Sequence, residues 1–252
     1  MNSELFSVND KVVIITGASR GIGHTLAAGF LEHGARVTMV ARSAEPLQQL
    51  AAAFPATALD IACDIGQADA STRICDDALE RFETIDTLIN CAGVSGGGDD
   101  PYSDAVWDRT MAVNLRAAFR ISRAVCEIMS ERGGGSIINI ASIGALLGFP
   151  NNPSYQASKA GLRHLTKALA RDWGPHGIRV NTVCPGYFPT EMTQATYSQP
   201  ELHAERSTRS MLGRWGDCRE LLGPCLFLAS EASSFVTASD VVVDGGWSAR
   251  GL

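Results

Sequence analysis

Three observations predict a doubly wound α/β fold with a parallel sheet. Seven short, β-branched runs alternate with longer helical patterns. The runs are apolar throughout rather than alternating, as strands covered on both faces must be. The chain has 252 residues and 45% hydrophobic content, enough for one large core in a single domain spanning 1–252. Right-handed crossovers then place helices on both faces of the sheet.

The first predicted strand, Val12–Thr16, runs into "TGASRGIG", which opens a helix over Gly21–His33. Glycines at 17, 21 and 23 let backbone approach a pyrophosphate, and a helix N-terminus offers free N–H groups and a positive dipole end. Position after the first strand makes this a candidate dinucleotide loop, with Gly17, Ser19, Arg20, Gly21, Ile22 and Gly23 as its contacts.

The second strand, Arg36–Val40, ends in "VARSAE". An NAD site usually carries an acid here for the ribose 2′-hydroxyl. This chain carries Ala41 and Arg42, with Arg20 in the glycine loop nearby. Guanidinium groups suit a 2′-phosphate through a planar, two-pronged contact, so NADP(H) is expected over NAD(H). After a helix over Pro46–Phe54, the third strand, Thr57–Ala62, leads to Asp64 and Ile65, candidates for the adenine amine and ring. A helix over Ala68–Phe82 precedes the fourth strand, Thr87–Asn90, which ends in "NCAG". There Asn90, Ala92 and Gly93 leave room for a cofactor. These strand ends point to one crevice.

A long helix is expected over Ala105–Arg132, with Asn114 inside it, where asparagine has poor propensity. The fifth strand, Ser136–Ala141, ends at Ser142, whose hydroxyl can hold a substrate oxygen. The next helix, Ser154–Trp173, sets Tyr155 and Lys159 one turn apart on a stripe continued by Leu162, Leu165 and Leu169. A lysine on an apolar stripe is costly unless something satisfies it. Beside a phenol it would lower the phenol pKa from about 10 and make it a usable acid or base. Beyond the sixth strand, Ile178–Val183, the irregular stretch Tyr187–Gly216 is expected to form a substrate lid. A helix over Asp217–Ala229 and a last strand, Asp240–Val243, complete the pattern.

The net charge of −6 argues against a nucleic-acid partner, and no run of about 18 apolar residues predicts a membrane span. No basic-then-apolar leader precedes the strand-like run at Lys11. Seven scattered cysteines without paired spacing read as free thiols in a reducing cytoplasm, and the five histidines show no metal-ligand spacing.

The motifs "TGASRGIG", "NCAG", "YQASK", "PGYFPT" and "VDGGW", with Asn114 and Ser142 between them, resemble the short-chain dehydrogenases/reductases over nearly the whole chain. The resemblance implies a Rossmann fold with a seven-stranded parallel sheet and a catalytic tetrad of Asn114, Ser142, Tyr155 and Lys159. It implies that Tyr155 exchanges a proton with the substrate oxygen and that Ser142 holds that oxygen. Lys159 would bind the nicotinamide ribose and lower the tyrosine pKa, and Asn114 would keep a relay water. Pro185, Gly186, Phe188 and Thr190 match positions that hold the nicotinamide carboxamide. The expected reaction interconverts a carbonyl and a secondary alcohol by hydride transfer, in a homotetramer. Cys91 departs from a frequent second asparagine, a change expected to be tolerated because the backbone matters more there.

For the substrate, the resemblance leans to sugar-acid dehydrogenases of the gluconate type and to reductases of 3-oxoacyl chains on a carrier protein. Carrier-protein reductases tend to carry basic residues where this chain has Gly133 and His176, which weakens that role, although Arg132 and Arg179 lie near. Ser95, Ile143, Phe149, Tyr187, Phe188 and Met192 are candidate pocket residues, and a small hydrophobic ketone also suits them. Ser142 and Tyr155 would face the same substrate. Trp247 is expected at a subunit interface, with a pocket wall as the alternative.

Overall fold

The computed structural model describes residues 4–96 and 100–250; positions 1–3, 97–99 and 251–252 of the predicted domain lie outside the described residues. Seven strands, β1 (Val12–Thr16), β2 (Arg36–Ala41), β3 (Ala58–Ala62), β4 (Thr87–Asn90), β5 (Gly135–Ile140), β6 (Ile178–Pro185) and β7 (Asp240–Val243), form one sheet in the order β3-β2-β1-β4-β5-β6-β7. Every pairing is parallel. The strand order reverses between β1 and β4, which opens a crevice at their C-terminal ends.

Alternate residues of the central strands feed two cores. Val13 and Ile15 pack with Leu26 and Phe30 of α1 (Gly21–Glu32) and Leu228 of α9 (Leu222–Ala229). Ile14 packs on the other face with Ile74 of α3 (Ala70–Phe82), Ile121 of α5 (Ala118–Glu131) and Leu169 of α6 (Pro153–Trp173). All five residues of β1 are buried, which explains the unbroken apolar run. Helix α2 (Ala44–Ala53) covers the β2–β3 end.

The long predicted helix over 105–132 is interrupted. It consists of α4 (Asp104–Met111), a π-helical segment over Ala112–Ala117 centred on Asn114, and α5. A π-bulge widens the turn and releases backbone groups, a feature frequent at functional sites. The expected lid is also more regular than its composition suggested. It contains α7 (Gln194–Tyr197) and α8 (Pro200–Arg209), the latter started by Pro200 at its first position.

A buried polar network fixes α6 against the sheet. Asn90 donates to Asn139 Oδ1 (2.8 Å) and Ser122 Oγ (3.0 Å), and Asn139 donates to Thr166 Oγ1 (2.8 Å). Thr182 also donates to Thr166 (3.0 Å), which passes its own proton to Leu162 O (3.0 Å). Buried networks of this kind specify one arrangement of helix on sheet, and this one, in which Asn90 Oδ1 alone lacks a partner, sets the position of Tyr155 and Lys159 on α6.

Candidate active site

The glycine loop is shaped for close backbone approach. Gly17 has φ +75°, and a Cβ there would lie 2.7 Å from Ala92 Cα at the end of β4. A Cβ on Gly23 would meet the Gly17 carbonyl. Thr16 Oγ1 accepts from the N–H groups of Cys91 (3.1 Å) and Ala92 (3.2 Å), so the Thr16 side chain ties β1 to the end of β4 through the backbone, not the side chains, of Cys91 and Ala92. That is why a cysteine is accommodated at Cys91. No side chain caps the N-terminus of α1, so its first N–H groups remain open beside the loop. A tight, uncapped, glycine-lined helix start of this form fits a dinucleotide pyrophosphate.

The remaining predicted cofactor residues divide. Arg42 is exposed just past β2. Arg20 is exposed too, but its guanidinium is paired with Glu191 from the lid. Asp64 is exposed and accepts from Gly66 N (2.9 Å). Ile65 is buried in the α3-side core with Cys63 and Ile74, so its side chain does not stand open for an adenine ring. Asn90 likewise turns its amide into the sheet network; the predicted contact is left to its backbone. Pro185 ends β6, and Gly186 passes within contact of Asp244, where a Cβ would lie 2.7 Å from Asp244 Cβ. Phe188 is buried against Gly216, while the Thr190 methyl sits over Gly21 and its hydroxyl meets Thr193 Oγ1 (3.1 Å). The loop after β6 thus folds over the glycine loop.

The four predicted catalytic residues converge at the ends of β4 and β5. Lys159, 4% exposed, donates from Nζ to Ile140 O at 2.7 Å, and a Cβ on Gly93 would lie 3.4 Å from that nitrogen. Burial pushes the ammonium down to about 8. Asn114 clamps the loop after β4, accepting from Val94 N (2.8 Å) and donating to Val94 O (3.0 Å) and Ser158 Oγ (3.0 Å). Ser158 donates a hydrogen bond to the backbone carbonyl of Tyr155 (2.7 Å), so Asn114 is linked to the tyrosine through α6. Ser142 accepts from Gly144 N (3.0 Å).

Tyr155 is half-buried, and desolvation pushes its phenol above the usual value while hydrogen bonding from Ser142 acts in the opposite direction. The lysine-lowered phenol expected from the sequence is therefore not the resting state of this chain. Lys159 Nζ is engaged by Ile140 and lies 5.9 Å from the tyrosine ring centroid, so burial dominates.

Above this floor stands an aromatic wall. Tyr187 and Phe149 meet edge to face (6.5 Å), and both contact Trp247, at 5.7 and 5.4 Å. Trp247 is thus a wall of its own chain's pocket region rather than an exposed interface residue. Gln156 holds Phe149 by both backbone groups at 2.6 Å, a clamp that the sequence did not signal. Ser95 accepts from Asn152 Nδ2 (3.3 Å), Ile143 is 3% exposed, and Met192 is exposed at the lid surface. Trp215 and Arg206, also unpredicted, contact Tyr187 from the lid at 5.3 and 5.2 Å. The signal for Trp215 was the rarity of tryptophan, four in the chain.

A sequence profile described as enoyl-(acyl carrier protein) reductase matches residues 17–248. The chain is 39% identical to gluconate 5-dehydrogenase of Gluconobacter oxydans, over 96% of each chain. It is 37% identical to galactitol 2-dehydrogenase (L-tagatose-forming) of Cereibacter sphaeroides, over 96% of this chain and 97% of that one. A gluconate 5-dehydrogenase from Burkholderia cenocepacia, solved with NADP and tartrate, superposes with a TM-score of 0.93 at 35% identity, over 98% and 99% of the two chains. The chain belongs to the short-chain dehydrogenase/reductase family. It is an NAD(P)-dependent oxidoreductase of that family, with the family's single Rossmann domain. Among the described residues, no helix is long and apolar enough to cross a membrane, and no cluster of His, Cys, Asp and Glu could hold a metal ion. Of the two residues offered in place of a carrier-binding base, Arg132 is exposed and Arg179 is committed to Leu228 O (2.9 Å) and Ser230 O (3.4 Å) at the end of α9.

Proposed function

We propose that this short-chain dehydrogenase interconverts a ketone and a secondary alcohol on a polyhydroxylated chain, with Tyr155 as the acid and base. The observation that carries this reading is the convergence of Tyr155, Ser142 and the buried Lys159 at the β4 and β5 ends, beside the glycine loop. In the reducing direction Tyr155 Oη gives its proton to the developing alkoxide, and in the oxidising direction its deprotonated form, the phenolate, takes the proton of the substrate alcohol. Its raised pKa keeps the phenol protonated at neutral pH, ready to donate. Ser142 steadies the same oxygen by donating to it. Lys159 lies beside Gly93 with donors to spare beyond its bond to Ile140, placed for a ribose hydroxyl. Asn114 keeps α6 and the loop after β4 in register. A bound nicotinamide supplies hydride to the carbon, or accepts it.

Gly17, Gly21, Gly23 and the start of α1 would hold the pyrophosphate, and Pro185, Gly186 and Thr190 the carboxamide end. NADP(H) is preferred over NAD(H) because Arg42, exposed beyond β2, meets a 2′-phosphate where an acid would serve a free hydroxyl, and Arg20 joins it by exchanging Glu191 for the phosphate. Curated relatives that act on gluconate and galactitol support a polyhydroxylated substrate. The commitment of Arg179 to α9 counts against the carrier-protein thioester. Exposed Trp107 and Phe119 on the α4–α5 side support self-association as a homotetramer, and seven free cysteines support a cytoplasmic setting.

The test is Tyr155→Phe, assayed by NADPH absorbance against a panel of polyhydroxy ketones. Turnover is expected to fall by about 10³-fold with NADPH binding retained. Turnover equal to the unsubstituted enzyme would remove Tyr155 from the proton transfer.

A further inference from the structure

The lid sets a carboxylate on the glycine loop. Glu191, near the start of the lid, pairs with the Arg20 guanidinium, 171 residues away in the chain. A closed turn builds its placement. Thr193 Oγ1 accepts from Thr190 N (2.9 Å) and donates to Phe188 O (2.6 Å), and Thr193 N donates to Thr190 O (3.0 Å). The Thr190 methyl then stands over Gly21, the residue after Arg20, where an added Cβ would lie 3.3 Å from it. Glu191 therefore reaches Arg20 from a turn that is itself seated on the glycine loop.

The pair sits where negative charge is favoured. Arg20 is the N-cap of α1, and that helix has neither a side-chain cap nor an acid in its first turn. Glu191 supplies from the lid the charge that this positive helix end lacks in its own sequence. The Arg20 and Glu191 side chains are 62% and 63% exposed, so water screens the pair and its contribution is small. Arg42, by contrast, has no ion-pair partner among the described residues. One of the two arginines is open to a 2′-phosphate at once, and the other must first give up a carboxylate.

That asymmetry acts on the two coenzymes unequally. A 2′-phosphate carries more charge than a carboxylate and takes a guanidinium with two prongs, so it wins Arg20 from Glu191. The lost pair is then subtracted from its affinity. A free 2′-hydroxyl makes no such demand, and Arg20 stays with Glu191. Any repulsion between Glu191 and the pyrophosphate falls on both coenzymes alike and cancels in their ratio. We propose that Glu191 is a specificity-determining residue for the coenzyme: by holding Arg20 it narrows the preference for NADP(H) and keeps the enzyme open to NAD(H). This rests on the NADP(H) reading above and deepens it from a preference to the residue that limits that preference.

The experiment measures binding to the unsubstituted enzyme, Glu191→Gln, Arg20→Gln and the double variant. NADPH and NADH are titrated by nucleotide fluorescence. Adenosine 2′,5′-bisphosphate and adenosine 5′-monophosphate are titrated by calorimetry, which reads the adenosine half alone. Glu191→Gln is expected to raise the NADPH-to-NADH affinity ratio about threefold, the contribution of one exposed pair, and to shift the bisphosphate-to-monophosphate ratio equally. Arg20→Gln is expected to lower both ratios about tenfold. Adding Glu191→Gln to Arg20→Gln is expected to move neither ratio further. A gain in affinity cannot come from a variant that fails to fold. Ratios that Glu191→Gln leaves unchanged overturn the role of Glu191; if Arg20→Gln or Arg42→Asp still lowers them, the NADP(H) reading stands. An equal gain for NADPH and NADH, or a threefold gain in the ratio that persists without Arg20, also overturns it. A ratio below one in the unsubstituted enzyme, unmoved by Arg20→Gln and Arg42→Asp, overturns the NADP(H) reading and this inference with it.

Discussion

At the floor of the crevice a cation is 4% exposed and held by one carbonyl; in the lid above it, the side chains of Arg206 and Arg209 are 23% and 57% exposed and share an acid. The floor is made of strand ends and one long helix, tied by side-chain hydrogen bonds whose partners lie 49 residues apart (Asn90 and Asn139) and up to 76 apart (Thr16 and Ala92). The lid is made of short helices and aromatic edges. Floor residues have one geometry available, because the sheet and its polar network dictate it. Lid residues rest on stacking and surface charge, which tolerate exchange. Under the proposed function, the difference gives the chemistry, common to many substrates, to the floor and substrate choice to the lid.

Substitutions break that comparison in order of severity. Gly17→Val is expected to act most strongly. Its Cβ would lie 2.7 Å from Ala92 Cα in a backbone with φ +75°, so the loop must move. NADPH affinity, read by fluorescence titration, is expected to fall by more than about 100-fold, a loss of roughly 3 kcal/mol. Retention of affinity would detach the glycine loop from cofactor binding.

A smaller effect sharpens the contrast in cost. Lys159 has a folded-state value of about 8 against an ordinary 10.5, so the fold binds this proton less tightly than the open chain. The resulting penalty is full below about pH 8 and disappears as pH rises through the ordinary value. It amounts to about 3 kcal/mol, and losing the bond to Ile140 in Lys159→Met offsets roughly 1 kcal/mol of any gain. The ligand-free variant is therefore expected to be more stable than the unsubstituted chain at pH 7, by about 2 kcal/mol in denaturant titrations. That advantage shrinks between about pH 8 and 10.5. Buried cysteines such as Cys225, raised by desolvation, titrate in both proteins and cancel in the difference. A variant less stable at pH 7 would mean that the buried ammonium costs nothing.

The floor was legible in the sequence and the lid was not, for a physical reason. Strands buried on both faces announce themselves as continuous apolar runs, so β1 and β4 lie where their residues predicted, and the part-exposed edge strand β7 does so through its run of valines. Tyr155 and Lys159 are separated by one helical turn, and their convergence with Ser142 follows once α6 packs beside the β5 end. Asn114 signalled trouble within a helix, and the π-helical segment is its form. Helix α8 escaped notice because "PELHAERSTR" has no buried residue and so no apolar stripe to read. Ile65 and Asn90 were assigned to the cofactor by position alone, and burial claimed their side chains. Trp247 was assigned outward because nothing in a linear sequence shows that Phe149 and Tyr187 come to meet it.

The division of labour between floor and lid is tested most directly by Ser142→Ala, assayed for kcat/KM across a panel of acids, polyols and small ketones. Of the substrate, Ser142 touches only the reacting oxygen, so every member of the panel is expected to fall by the same factor, about 10²-fold, with the order of preference intact. A reordered panel would show that the floor selects substrates as well as transforming them, and would contradict the account.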